Sequence, residues 1–237
     1  TILSTTDARG NETTYAYDAG GQLASATDAE DVVVTYGYDA VGNRTSMVDS
    51  DGTLTVTYDA LNRPLTRTRT SAAGTEAITY TYDVVGNLAT LTYPNGFTVT
   101  YAYDDARRLE TVTDSDARVT TYDYNAAGRL HTVALPNGTS ATYAYDDAGR
   151  ITGLTHAAGG TAFATIAHTY DGRGNRLTRT VDGATEAYTY DPLARLSAAT
   201  YPGAGTVGYT YDATGNRTAQ ADALGTVPST FDAADQL

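Results

Sequence analysis

Carboxylates are the recurring groups in this chain that could do chemistry. Two carboxylates in unequal environments can hydrolyse a glycosidic bond, one of them acting as the acid. Here the acids, with one Asn, recur every 20 to 25 residues in similar local sequence. The series is Asp18, Asp39, Asp59, Asp83, Asp104, Asn125, Asp146, Asp171, Asp191, Asp212 and Asp232. Carboxylates in equivalent surroundings have similar pKa values, so one cannot act as the acid while another acts as the base. We therefore interpret these residues as turn-forming.

Pairs of Tyr precede most of these acids, and aromatic faces can stack on sugars. The repeated positions are Tyr15, Tyr17, Tyr36, Tyr38, Tyr80, Tyr82, Tyr101, Tyr103, Tyr143, Tyr145, Tyr209 and Tyr211. The rings recur in register with the acids, as the side chains of a cross-strand packing ladder do. We therefore interpret them as structural positions and keep a glycan-binding surface as the lesser alternative.

Few other residues are candidates for metal binding or catalysis. DSDG at 49–52 and DSDAR at 114–118 faintly resemble Ca²⁺ loops, but they lack the spaced ligands and closing Glu of an EF-hand. His131, His156 and His168 stand outside any ligand or triad pattern. Cys is absent, and no nucleophile elbow or phosphate-binding loop is found. The sequence therefore predicts no catalytic residue, cofactor or metal site, and we expect a protein that is not an enzyme.

The composition excludes several classes of partner. The formal net charge of −13 disfavours binding to nucleic acid or to an anionic membrane surface. No apolar run is long enough to cross a bilayer as a helix, so we expect no membrane insertion. The 20 Tyr residues, against 3 Phe and no Trp, accompany abundant Thr and favour strands over helices.

Alternation with a period of two indicates strands throughout the chain. In FTVTYAY at 97–103, every second residue is Phe, Val or Tyr, and the residues between them are Thr or Ala. The segments that contain Val34 and Tyr36, or Val207 and Tyr209, alternate in the same way. This pattern predicts strands with one apolar face and one polar face.

Glycine three residues after the acid indicates the turn that ends each of these strands. It occurs in seven of the eleven copies, at Gly21, Gly42, Gly86, Gly128, Gly149, Gly174 and Gly215. Asp first and Gly fourth are preferred in a type I turn, and Gly accepts a positive φ. Asn62 and Asp235 also tolerate the left-handed region. Arg107 and Ala194 do not fit this interpretation.

A second strand and a second turn complete each repeat. YPNG at 93–96 and LPNG at 135–138 contain Asn-Gly, which is typical of hairpin turns. The second strand alternates poorly, since Leu88 and Leu91 stand three residues apart. That spacing indicates a β-bulge.

The predicted fold is all-β, with about 20 strands joined by short turns into antiparallel hairpin repeats. A sheet of that width would curl or close, so we expect a coiled β-ribbon or solenoid. Residues 1–237 are predicted to form a single array of about eleven repeats, with partial repeats at both ends. From those partial repeats, at 2–10 and 231–237, we expect an excerpt of a longer array or ends that meet other copies.

The repeat resembles the YD repeat, also called the RHS repeat. The family pattern is close to Y-x-Y-D-x-x-G-R-L, and YAYDDAGRI at 143–151 matches it almost letter for letter. The family includes bacterial Rhs proteins, wall-associated proteins, the B and C components of insecticidal toxin complexes, and teneurins. The resemblance implies repeats that spiral into a hollow β-shell, which in toxin members holds a C-terminal toxic polypeptide. Asp191-Pro192 lies at an ordinary repeat turn, so no self-cleavage is carried over to it.

The resemblance implies a structural, non-enzymatic segment of a large secreted or surface bacterial protein. It would form part of a shell that encloses or presents a cargo polypeptide, such as a C-terminal toxin. Its other expected partners are neighbouring repeats of the same chain or other copies of itself. The alternative is an extracellular fibre or adhesin in which the β-ribbon continues from one copy to the next.

Overall fold

A computed structural model describes residues 2–231, and all the regular elements in that range are β-strands. The predicted all-β fold of antiparallel hairpin repeats is therefore confirmed, with 22 strands in the described residues. No helix that could cross a bilayer is present within these residues. Asp232 and Asp235, which the sequence predicts at a turn, lie outside them.

The chain divides into two compact units, Thr1–Val119 and Thr120–Leu237. The strands of unit 1 are β1 Ser4–Thr6, β2 Glu12–Tyr17, β3 Leu23–Thr27, β4 Val33–Tyr38, β5 Arg44–Asp49, β6 Gly52–Tyr58, β7 Pro64–Ser71, β8 Gly74–Tyr82, β9 Leu88–Thr92, β10 Thr98–Tyr103 and β11 Leu109–Asp114. Each pairs antiparallel with its neighbours in sequence, so unit 1 is a meander.

Unit 2 has the same organisation. Its strands are β12 Val119–Tyr124, β13 Leu130–Ala134, β14 Thr139–Tyr145, β15 Ile151–Ala158, β16 Thr161–Tyr170, β17 Arg176–Val181, β18 Ala184–Tyr190, β19 Leu196–Tyr201, β20 Gly205–Tyr211, β21 Arg217–Asp222 and β22 Gly225–Pro228. They too form an antiparallel meander.

The two faces of the strands differ in burial, as their alternation predicts. Tyr101 and Tyr103 are half-buried, whereas Thr100 and Ala102 on the opposite face are exposed. Hydroxyl groups bond across the Thr face, for example Thr81 to Thr90 at 2.6 Å. Of the described residues, Ala199 alone is fully buried, because strands contact their sequence neighbours and gain no second layer within a unit. Contacts between successive repeats therefore carry much of the stabilisation.

A β-bulge stands at the start of the second strand of every described YD hairpin. In β10 and β11, Tyr103 pairs with Leu109 and Ala102 pairs with Thr111, which leaves Glu110 as an extra residue. The same shift occurs next to Tyr17, Tyr38, Tyr58, Tyr82, Tyr124, Tyr145, Tyr170, Tyr190 and Tyr211. The bulge indicated by the sequence is thereby confirmed and located.

Candidate functional site, the junction between repeats

The acid that follows the Tyr pair holds a three-residue hairpin loop. At Asp104, the backbone N–H bonds to the carbonyl of Arg108 at 2.9 Å, and the N–H of Arg107 bonds to the Asp104 carbonyl at 2.8 Å. The Asp104 carboxylate accepts the N–H groups of Ala106 and Arg108, both at 2.9 Å. This is a type I turn closed by a left-handed residue.

The backbone bonds of that loop recur in all ten described YD turns. They begin at Asp18, Asp39, Asp59, Asp83, Asp104, Asn125, Asp146, Asp171, Asp191 and Asp212. The fourth residue has a positive φ even where it is not Gly, with 61° at Asn62, 60° at Arg107 and 62° at Ala194. The prediction that Arg107 and Ala194 do not fit the fourth position of this turn was therefore wrong. The hydrogen bonds of the loop outweigh the cost of a left-handed backbone conformation, about 1–2 kcal/mol for each of these residues.

In eight of the ten described loops, the residue four positions beyond the acid returns a side chain to that acid; Gln22 and Arg129 are the exceptions. Where it is Arg and the loop begins with Asp, the Nε donates to the carboxylate, as Arg150 does to Asp146 at 2.6 Å and Arg195 to Asp191 at 2.7 Å. Where it is Asn, the amide donates instead, as Asn87 does to Asp83 at 2.9 Å. Residue-by-residue interpretation missed this partner, although the presence of Arg or Asn after nine of the ten described loops was a usable signal.

These bonds hold the turn carboxylates in their ionised form. The pKa of Asp146 lies below its ordinary value, because its carboxylate accepts the backbone N–H of Arg150 and then the Arg150 side chain. The pKa of Asp171 is lowered first by the Asn175 amide and then by backbone N–H groups. A glycosidase acid needs a raised pKa, so the lowered values suit turn-holding and not proton donation.

The second Tyr of each pair connects its repeat to the one before. The hydroxyl of Tyr103 donates to the carbonyl of Leu88 at 3.0 Å, and that of Tyr145 donates to the carbonyl of Leu130 at 2.8 Å. In eight described bonds of this kind the acceptor is the first residue of the bulge in the preceding hairpin, and Tyr17 donates to the carbonyl of Ile2. A bulge disrupts the ladder and leaves a backbone group to be satisfied. The Tyr hydroxyl meets this need, and Phe has no group that could.

Arginine after the loop also reaches forward to the next repeat. The Cζ atom of Arg150 lies 4.7 Å from the ring centre of Tyr170, and its Nη1 donates to the carbonyl of Asp171 at 3.1 Å. Arg195 makes the same two contacts with Tyr211 and Asp212, at 4.7 Å and 2.9 Å. One side chain thus closes its own turn and fastens the next.

The side-chain length of the residue after one loop correlates with the residue type at the fourth position of the next loop. Within the units, a long side chain is followed by Gly, in the pairs Gln22–Gly42, Arg63–Gly86, Arg129–Gly149, Arg150–Gly174 and Arg195–Gly215. Asn is followed by a residue with a Cβ, in the pairs Asn43–Asn62, Asn87–Arg107 and Asn175–Ala194.

Space explains most of this matching. A Cβ at Gly149 would lie 3.3 Å from the Arg129 Cζ, and one at Gly86 would lie 3.3 Å from the Arg63 Nη1. At Gly215 nothing lies within 4 Å, so there its φ of +105° alone accounts for glycine. At Gly86 and Gly149 the long side chain therefore lies where a Cβ in the next turn would be crowded.

The other sequence candidates do not meet at a common site. His131 bonds the carbonyl of Tyr143, His156 stacks on Phe163, and the pKa of His168 is lowered by burial and then by Arg176.

The two loops that resemble Ca²⁺ sites are satisfied by Arg. The Asp49 carboxylate receives Arg69, and that of Asp114 receives Arg118. In the described part of the chain, no three His, Asp or Glu residues are grouped to hold a metal ion.

Two family profiles match the sequence. The profile of the Teneurin YD-shell family matches residues 49–219, and that of the RHS repeat matches residues 2–33 and 21–54. Comparison with curated proteins finds no match. The resemblance recognised in the repeat itself is thereby confirmed.

Solved toxin-complex structures have a similar fold. The TcdB2-TccC3-TEV crystal structure superposes with a TM-score of 0.63 and 17% identity over 95% of this chain and 15% of that chain. The TcdB2-TccC3 crystal structure gives a TM-score of 0.59 and 18% identity over 99% of this chain and 16% of that chain. The structure of a Photorhabdus luminescens Tc holotoxin pore with mutated TccC3 gives a TM-score of 0.59 and 17% identity over 92% of this chain and 15% of that chain. At this identity the likeness shows the fold alone, and the chain spans about one sixth of those chains.

Proposed function

The chain belongs to the Teneurin YD-shell family, and on that premise we propose that it is a non-enzymatic wall segment of a larger secreted or surface-delivered bacterial protein. The wall encloses or presents a cargo polypeptide, such as a C-terminal toxin. Residues 1–237 act as a single array of YD repeats, and their partners are the neighbouring repeats.

The observation that carries this proposal is the use made of the polar groups at each junction. The Tyr103 hydroxyl, the Asp146 carboxylate and the Arg150 guanidinium are all engaged by their own turn or by an adjacent repeat. Side chains committed in this way bind strand to strand and do not converge on a substrate. Their repetition in every hairpin suits a continuous wall, whose work is mechanical and steric.

The repeat positions have separate tasks in that wall. We assign the bulge contact to the second Tyr of each pair, and cross-strand packing to the first. The Asp holds the loop, and Gly42, Gly86, Gly149 and Gly215 supply its left-handed residue.

Electron microscopy of the full-length protein tests the wall. We expect closed hollow particles, in which the polypeptide that follows the repeats resists added protease until the particle is opened by denaturant. Filaments without closed particles would support the fibre or adhesin alternative and reject the shell. If the particles are closed but the polypeptide that follows the repeats is digested as fast as it is when free, the wall does not enclose it. The hypothesis that the wall presents this polypeptide would then remain.

A further inference from the structure

Two hairpins of the chain place an Arg opposite a Glu, and only one of the two pairs is formed. In unit 2, Glu186 accepts a bond from Arg179 at 3.0 Å and another from the hydroxyl of Tyr188. In unit 1, Arg69 stands opposite Glu76 in the ladder but turns to Asp49, with bonds of 3.1 and 2.8 Å. Glu76 is consequently left without a partner among the described residues.

The unpaired Glu76 lines a groove on the apolar face of unit 1. One open depression of about 750 Å³ is bounded by Glu76, Tyr93 and Phe97, and a second of about 220 Å³ is bounded by Glu76, Ile78, Arg67 and the Asp49-paired Arg69. Glu76 and Pro94 line both depressions, so the two adjoin each other. Arg67 likewise has no ion pair or hydrogen bond in the described part of the chain. The larger volume lies in the range of small-ligand sites.

Two rings form one side of the groove. Tyr93 and Phe97 flank the β9–β10 turn with ring centres 6.2 Å apart and planes inclined by 52°. Tyr93 is 40% exposed, so part of its surface is open to a ligand. The corresponding turn of unit 2 reads YPGAG at 201–205, which keeps a Tyr but has Gly where Phe97 stands.

The charges and rings together select the chemistry of the ligand. One free carboxylate and one free guanidinium cancel, which favours a neutral ligand over an anionic or cationic one. The carboxylate accepts hydrogen bonds, the guanidinium donates them, and the rings offer apolar faces. A pyranose ring has both hydroxyl groups and an apolar face. An extended peptide fits less well, because β8 and β9 are paired on both sides and present no free edge.

We propose that the groove between Glu76, Arg67, Tyr93 and Phe97 binds a neutral oligosaccharide. The sugar stacks on the ring of Tyr93, and Glu76 and Arg67 hydrogen-bond its hydroxyl groups. The site lies beyond the wall function and does not depend on it.

Calorimetric titration of the whole chain with cellohexaose, maltohexaose and chitohexaose tests this site. We expect at least one of them to bind at one site per chain. Tyr93→Ala should weaken that binding about tenfold, which corresponds to about 1.4 kcal/mol. Glu76→Gln should weaken it less, and Tyr93→Phe should retain most of it because the ring remains.

Tyr201→Ala is the matched control, since Tyr201 occupies the equivalent turn beside the paired Glu186. It should leave binding unchanged, and circular dichroism should show that each variant is folded. The proposal is overturned if none of the three saccharides binds at millimolar concentration, or if Tyr201→Ala weakens binding as much as Tyr93→Ala. It is also overturned if a neutral peptide of Gly, Ser and Asn, similar in length to the saccharides, competes with them for the groove.

Discussion

Two adjacent junctions of unit 2 fasten neighbouring repeats by different means. At the first, Arg150 pairs with Asp146, covers the ring of Tyr170 and bonds the carbonyl of Asp171. At the second, Asn175 bonds Asp171 at 2.9 Å and reaches no further among the described residues. There the forward bond comes from Arg173 inside the loop, whose Nη1 donates to the carbonyl of Pro192 at 2.9 Å.

The comparison shows that one side-chain length affects two successive turns. A long residue after the loop goes with glycine in the next turn, as Arg150 goes with Gly174, and a short one tolerates Ala194. A Cβ would be crowded at Gly42, 3.2 Å from the Gln22 Nε2, and at Gly86, 3.3 Å from the Arg63 Nη1, whereas at Gly174 it would make an ordinary contact of 3.6 Å with the Arg150 Nη1. The Gly of a YD repeat is therefore set partly by its own turn and partly by the repeat before it.

Arg150→Asn removes the difference between the two junctions and should have the largest effect. The variant keeps a donor for Asp146 but loses the contact with the Tyr170 ring and the bond to the Asp171 carbonyl. We expect unfolding free energy to fall by about 2 kcal/mol, the sum of a cation–π contact and a charged hydrogen bond. The midpoint of urea unfolding measures this. Arg150→Lys should lose less, and an unchanged midpoint for Arg150→Asn would contradict the forward contact.

The Tyr hydroxyl should matter equally at both junctions. Tyr170 donates to the carbonyl of Ile151 at 2.8 Å, and Tyr190 donates to that of Arg176 at 2.9 Å. Changing either Tyr to Phe should cost about 1 kcal/mol, because a bulge carbonyl loses its donor. Tyr143→Phe is the control, since its hydroxyl has no partner among the described residues. Equal losses at all three positions would refute the role of the bulge carbonyl.

Converting the second junction into the first tests the matching of Arg with Gly. Asn175→Arg alone places a long side chain against the Ala194 Cβ, whereas Ala194→Gly alone relieves a φ of 62°. The double variant should be more stable than the sum of the single changes by about 0.5 kcal/mol or more. A double-mutant cycle measured in urea gives this coupling. Strict additivity would show that the two positions do not interact.

Acid should weaken both junctions, and the responsible carboxylates can be separated. Because the pKa values of Asp146 and Asp171 are lowered by folding, their contribution is complete above the ordinary Asp pKa and is lost as pH falls through the lowered value. Asp146→Asn and Asp171→Asn should each flatten the loss of stability between about pH 5 and pH 2. Thermal midpoints across that range measure the slope. A slope equal to that of the unmodified chain would exclude these carboxylates as its cause.

Much of the fold could be predicted because its signals are local. Alternation in FTVTYAY at 97–103 indicates a strand from seven consecutive residues, and the Asp-to-Gly spacing indicates a turn from four. The bulge was readable from the spacing of Leu88 and Leu91 but could not be located. Arg107 was misjudged, because residue preference at one position was weighed without the backbone and carboxylate bonds that hold the loop.

The sequence by itself determined the strands, the turns and the repeat that identifies the family, since each depends on residues close together in the chain. Only the tertiary structure decided which carbonyl receives each Tyr hydroxyl, how far Arg150 reaches, and that Arg69 bonds Asp49 and leaves Glu76 free. Those contacts join residues 15 to 21 positions apart. Whether they form depends on side-chain length and on the exact register of neighbouring strands, which no short stretch of sequence specifies.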